Sequence, residues 1–142
     1  MILTKPIRTA AAAMLALVLL CGCSGNSSAI DNMVAELNSP VFRAAQAKTG
    51  LFDDTQASVE GKQLIIKFLC RPYINLSAID SNDYAELETA TVNEFRGHLV
   101  NPEFKKGMEA LRAEGMTLLL DWQDVNGFSI KIPVDPAAIL AE

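Results

Sequence analysis

Four side chains of this 142-residue chain are of the types that bond-making chemistry most often uses: Cys21, Cys23, Cys70 and the single histidine, His98. Cys21 and Cys23 stand one residue apart, a spacing open to three readings: a redox pair, half of a thiolate metal site, or a feature outside the fold. A thiolate zinc site wants a second pair of ligands, and only Cys70 and His98 remain to supply one, so no metal is expected. Cys70 and His98 could instead act as nucleophile and base, with Arg71 favouring the thiolate. Nothing supplies an orienting third group or an oxyanion site, which leaves a small thiol-dependent hydrolase as the secondary reading. The stretch "DWQDVNG" from Asp121 invites comparison with a calcium loop. Aligning Gly127 to the loop glycine puts Trp122 at the first ligand position and Pro133 at the bidentate one, where neither coordinates. It reads as a turn. No phosphate-binding glycine loop, serine elbow or paired-metal motif is present, so the expectation is no catalytic residue and no cofactor.

The two neighbouring cysteines are explained by what precedes them. Lys5 and Arg8 are followed by an unbroken apolar run from Ala10 to Leu20 and then by small residues at Gly22, Ser24 and Gly25. That order is the charged, apolar and small-residue sequence of a secretory signal. The run would span only about 16 Å as a helix, against about 30 Å for a bilayer core, so a permanent membrane span is not expected. Its end, "LCGC" (Leu20, Cys21, Gly22, Cys23), resembles the lipobox of bacterial lipoproteins, with an aliphatic residue three before the acceptor cysteine and a small one just before it. The resemblance implies lipidation of Cys23 with palmitate-type acyl chains, cleavage in front of it, and loss of Cys21 with the signal peptide. Taking Cys21 as acceptor would put Leu20 at the small-residue position. Ser24 follows the acceptor where the family uses Asp for inner-membrane retention. In a double-membraned bacterium the implied address is therefore the outer membrane, facing the periplasm or the surface.

Processing at that point leaves 1–22 as signal peptide, 23–29 as a flexible tether ("SGNSSA" after Cys23) and 30–142 as one globular domain. Ten basic residues then face seventeen acidic ones, a net charge of about −7. Such a domain is a poor ligand for nucleic acid and is repelled by anionic head groups, so the membrane is engaged through the anchor alone. Cys70 is the one remaining thiol, and stability has to come from an apolar core.

Periodicity supplies the elements. Ile30, Met33, Val34 and Leu37 recur at helical spacing, and Ser39-Pro40 restarts a helix that carries Phe42, Ala45 and Ala47 to Gly50, as one bent helix or two short ones. In "QLIIKFLC" the residues Leu64, Ile66, Phe68 and Cys70 share one face; a two-residue loop at Gly61-Lys62 pairs Val59 with Leu64 and Ala57 with Ile66, uniting the apolar faces. A helix from Ser81, with Ser81 as cap and Asp83, Glu86 and Glu88 as a solvated acidic side, carries Tyr84, Leu87, Val92, Phe95 and Leu99. A second starts at Asn101-Pro102, places Phe104, Met108 and Leu111 on a stripe and stops at Gly115. Met116, Leu118, Leu120 and Trp122 share one face of one strand by alternation, and Phe128, Ile130, Ile132 and Val134 one face of the next. A two-residue turn at Asn126-Gly127 would set Trp122 opposite Lys131, whereas the three-residue loop Val125-Asn126-Gly127 sets Trp122 opposite Ile130 and Leu120 opposite Ile132. The tail from Asp135 adds one closing turn.

The order α-β-β-α-α-β-β implies an α+β two-layer sandwich: a four-stranded, mainly antiparallel sheet of two hairpins with helices on one face. Three outward positions, Ile65, Leu69 and Leu119, are large aliphatics and would form an apolar patch on the open face if the two hairpins adjoin. The expected function is that of a lipid-anchored envelope protein, a non-catalytic binding or accessory module that contacts an envelope protein, a second copy of itself or a small ligand through that face. A purely structural envelope lipoprotein is the remaining alternative.

Overall fold

The computed structural model describes residues 29–48 and 50–141; the expected signal peptide, Cys23 and the expected tether up to 28 lie outside the described residues. Two short helices open the domain, α1 (Ala29–Leu37) and α2 (Pro40–Lys48). They are separate because Ser39 restarts the chain: its hydroxyl accepts from the Phe42 N–H and donates to the Glu36 carbonyl, capping one helix and closing the other. Strands β1 (Phe52–Glu60) and β2 (Gln63–Cys70) follow as a hairpin, and β3 (Thr117–Gln123) and β4 (Ser129–Val134) form a second. Between them lie α3 (Ser81–Gly97) and α4 (Pro102–Ala113), and α5 (Pro136–Leu140) ends the chain.

The sheet has the order β1-β2-β3-β4. Both hairpins are antiparallel, and they meet through the parallel pair β2/β3. The fold is thus the expected α+β sandwich, with the αα crossover returning the chain so that β3 runs alongside β2. Both hairpin registers agree with the parity argument: Val59 pairs with Leu64, Ala57 with Ile66, Trp122 with Ile130 and Leu120 with Ile132. Gly61 and Gly127 take φ of 60° and 89°, the left-handed region that each turn needs and that glycine enters without strain.

One core unites the inward rows of all four strands with Leu37, Phe42, Leu87, Phe95, Phe104, Met108 and Ile139 from the helices. Phe68 lies between Phe52 and Trp122 at its centre, tilted against the first and stacked on the second, with ring centroids 5.0 and 5.5 Å apart. Three details differ from expectation. Asp80, not Ser81, caps α3, in a reciprocal box with Asp83, because a carboxylate at that position reaches the third helical N–H. Phe128 lies in the turn rather than in the strand and is 51% exposed. Val59 is also exposed, since it sits at the hairpin tip beyond the reach of the helices.

Candidate functional site

Cys70 is buried at the end of β2, opposite Phe52. Burial, and then the nearby Asp124 charge, push its thiol up to about 12. Arg71 gives it no help: that guanidinium donates to the Ala47 carbonyl at 3.0 Å and faces Asp53 at 3.8 Å. His98 sits in a short 3-10 turn after α3, with its ring 5.5 Å from that of Phe104. The two residues are thus held in different surroundings, and the charge bearing on the thiol is an anion's rather than an imidazolium's. Among the described residues no group of three or more His, Cys, Asp or Glu side chains is placed to hold a metal ion.

Asp124 is a residue whose importance the sequence reading did not bring out. Its Oδ1 accepts from the N–H groups of Asn126 and Phe128, and its Oδ2 accepts from the Leu76 N–H at 3.1 Å. One carboxylate therefore shapes the β3/β4 turn and ties the crossover loop to it. The local half of this arrangement has a sequence signal, an Asp two residues before Asn, as in an Asx turn. The Leu76 contact, 48 residues away, has none.

Beside this loop, a cleft of about 410 Å³ is lined by Leu76, Ser77, Tyr84, Phe128, Ile130 and Lys131, among others. Three of its polar side chains are already engaged. Tyr84 donates to the Lys131 carbonyl at 2.5 Å, Ser77 donates to Asn75, and Asp80 is spent on the helix cap.

The edges of the sheet are engaged too. The Asn38 side chain donates to the Ala57 carbonyl and accepts from the Ala57 N–H, copying a neighbouring strand along β1, and Asp54 accepts from Thr55 N–H. On β4, Tyr84 occupies the Lys131 carbonyl, and Pro133 has no N–H to offer. These contacts block the β-strand addition to which bare edges are open.

The outward face is organised differently. Register aligns one row as Ser58, Ile65, Leu119 and Pro133 and the next as Gln56, Lys67, Asp121 and Lys131. Ile65 and Leu119 are therefore direct neighbours, as expected, whereas Leu69 stands two rows away beside Gln123. The expectation of three exposed aliphatics needs correction: Ile65 is 6% exposed, Leu119 is half-buried, and Leu69 and Pro133 are exposed. Asp121 keeps only 3% of its surface. Its Oδ2 accepts from the Gln123 amide, while Oδ1 has no hydrogen-bond partner. Ile65 lies outside the core cluster, and the tail does not reach this face, because α5 packs on α3 and α4 and buries Ile139 in the core.

No protein-family model, curated protein or solved structure matches the chain. Among the described residues no helix is long and apolar enough to cross a membrane.

Proposed function

We propose that the protein is a lipid-anchored envelope module without catalytic activity, held at the membrane through Cys23, that contacts its partner through the outward face of the sheet. The observation that carries the contact surface is the outward row in which half-buried Leu119 stands beside exposed Pro133, with exposed Lys67 in the next row and exposed Leu69 beyond it. The engaged groups at both edges favour the face over the edges as the place of contact. The thiol-enzyme reading loses support because Cys70 is protonated and far from free access.

The membrane part of the proposal rests on "LCGC" and on the charged and apolar stretches before it. Each buried CH₂ contributes about 0.8 kcal/mol, so several acyl chains on Cys23 hold the domain at a bilayer without a spanning helix. Feeding cells a labelled fatty acid checks it: the wild type carries label and Cys23→Ala does not. Label retained on Cys23→Ala contradicts the anchor. For the face, Leu119→Gln with Pro133→Thr is expected to leave the fold intact and to remove partner crosslinks. A crosslink profile unchanged by that pair contradicts the assignment.

A further inference from the structure

We propose that Asn126 is a site of spontaneous deamidation in the folded protein, and that its conversion to isoaspartate unfastens the loop that Asp124 ties to Leu76 and Phe128. Asparagine is among the thermolabile residues, and the reaction needs no reagent but water. The Gly127 backbone nitrogen attacks the side-chain carbonyl carbon of Asn126. The N–Cγ bond forms, the Cγ–Nδ2 bond breaks, and the amide group leaves as ammonia, taking the proton that the Gly127 nitrogen gives up. Water then adds to one of the two carbonyls of the cyclic imide. Opening at Cγ leaves aspartate; opening at the backbone carbonyl leaves isoaspartate, whose main chain runs through Cβ and Cγ and is one atom longer.

The turn presents both reacting groups. Asn126-Gly127 is the one Asn-Gly pair in the sequence, and both residues are exposed. Among the described residues Asn126 is bonded only through its backbone N–H, to Asp124 Oδ1, so its side-chain amide is unheld. The Gly127 N–H reaches the Asp124 carbonyl at 3.3 Å, a long bond that gives up little when the nitrogen turns to attack. A Cβ on Gly127 would meet no atom within 4 Å, so the turn leaves open space around this residue. Other asparagines are restrained. Asn38, before Ser39, donates to the Ala57 carbonyl at 2.9 Å and accepts from its N–H at 2.8 Å. Asn75 accepts from the Ser77 N–H and hydroxyl and precedes the bulky Leu76. Asn101 precedes Pro102, whose nitrogen has no proton to lose.

The consequence follows from what surrounds the inserted atom. Asp124 Oδ1 accepts from the N–H groups of Asn126 and Phe128 at 2.9 and 3.0 Å, one on each side of the insertion, and a longer main chain no longer brings both to one oxygen. The new carboxylate also stands beside that of Asp124, like charge against like. The other oxygen of Asp124 holds the Leu76 N–H, and Leu76 and Phe128 are both walls of the cleft. Conversion therefore loosens the tie between the crossover loop and the β3/β4 turn.

The test is incubation of the full-length protein at neutral pH for weeks, with peptide mapping by mass spectrometry and fragmentation that distinguishes isoaspartate from aspartate. Asn126 is expected to convert about tenfold or more faster than Asn38, the factor that giving up two hydrogen bonds imposes, and mostly to isoaspartate. Asn126→Gln is expected to stay unconverted at this position. An intact Asn126 in the folded protein, under conditions where the urea-unfolded chain converts there, overturns the site. Hydrogen exchange on the separated isoaspartate form reads the consequence: the Leu76 and Phe128 amides are expected to exchange faster than in the starting protein. Asn126→Asp adds the charge without the extra atom and is expected to show a smaller change. Unchanged exchange at both amides in the isoaspartate form overturns the loosening, and an equal change in Asn126→Asp assigns it to charge and overturns the role of the added atom.

Discussion

Cys70 and Asp124 lie within reach of each other's charge, yet they do opposite work. The thiol, pushed up to about 12, is about 10⁻⁴ ionised at pH 8 and behaves as a small apolar side chain. Iodoacetamide is therefore expected to modify the folded protein orders of magnitude more slowly than a model thiol, and at the ordinary rate once urea unfolds it. A folded-state rate equal to the model thiol's would contradict the burial of Cys70. The sign of the pH dependence follows: the folded state holds this proton more tightly than the unfolded chain, whose thiol titrates near 9.0, so this contribution to stability is complete below pH 9 and lost between about 9 and 12. Cys70→Val removes that part of the alkaline transition. Asp124, by contrast, holds three backbone N–H groups. Asp124→Ala is expected to cost about 3–4 kcal/mol in urea unfolding, and Asp124→Asn about half of that, because an amide keeps the Oδ1 contacts but cannot accept from Leu76. Equal losses for both variants would mean that the Leu76 contact contributes nothing.

At the scale of elements, the strands follow from parity and the helix ends from side-chain caps. Alternation alone fixes both hairpin registers, because a one-residue slip would turn Trp122 or Ile66 out of the core. What alternation does not carry is the pairing of β2 with β3, which depends on a crossover of more than forty residues and on helices whose packing is non-local. The neighbours Ile65 and Leu119 were therefore legible only on condition that the hairpins adjoin, and Asp121 was legible as outward but not as buried. Asp80 was hidden by the equally good capping residue that follows it. Buried polar atoms are likewise invisible in a sequence pattern: Thr55 is fully buried in β1 with its Oγ1 unpartnered. Thr55→Val keeps the shape and removes the orphaned hydroxyl, and is expected to stabilise the protein by about 1 kcal/mol, raising Tm by a few degrees. A lower Tm would show that the hydroxyl is satisfied after all. Asn38→Ala opens the β1 edge at Ala57 and is expected to increase aggregation during refolding more than it lowers stability, as light scattering and urea melts together would reveal.

The whole molecule is a small acidic domain with its edges closed by Asn38, Tyr84 and Pro133, one side of its sheet filled by helices, and the other carrying an aliphatic row beside an underused carboxylate. An anchor at Cys23 would confine that face to the neighbourhood of a bilayer, where even a weak contact is effective. The most direct measurement is photo-crosslinking of the protein in living cells from a reactive side chain placed at Leu119, on the outward face, with Val100, on the helical side, as the comparison. The account predicts a discrete adduct from position 119 that Pro133→Thr weakens, and none from position 100. Adducts absent at 119, or equal at the two positions, would contradict it.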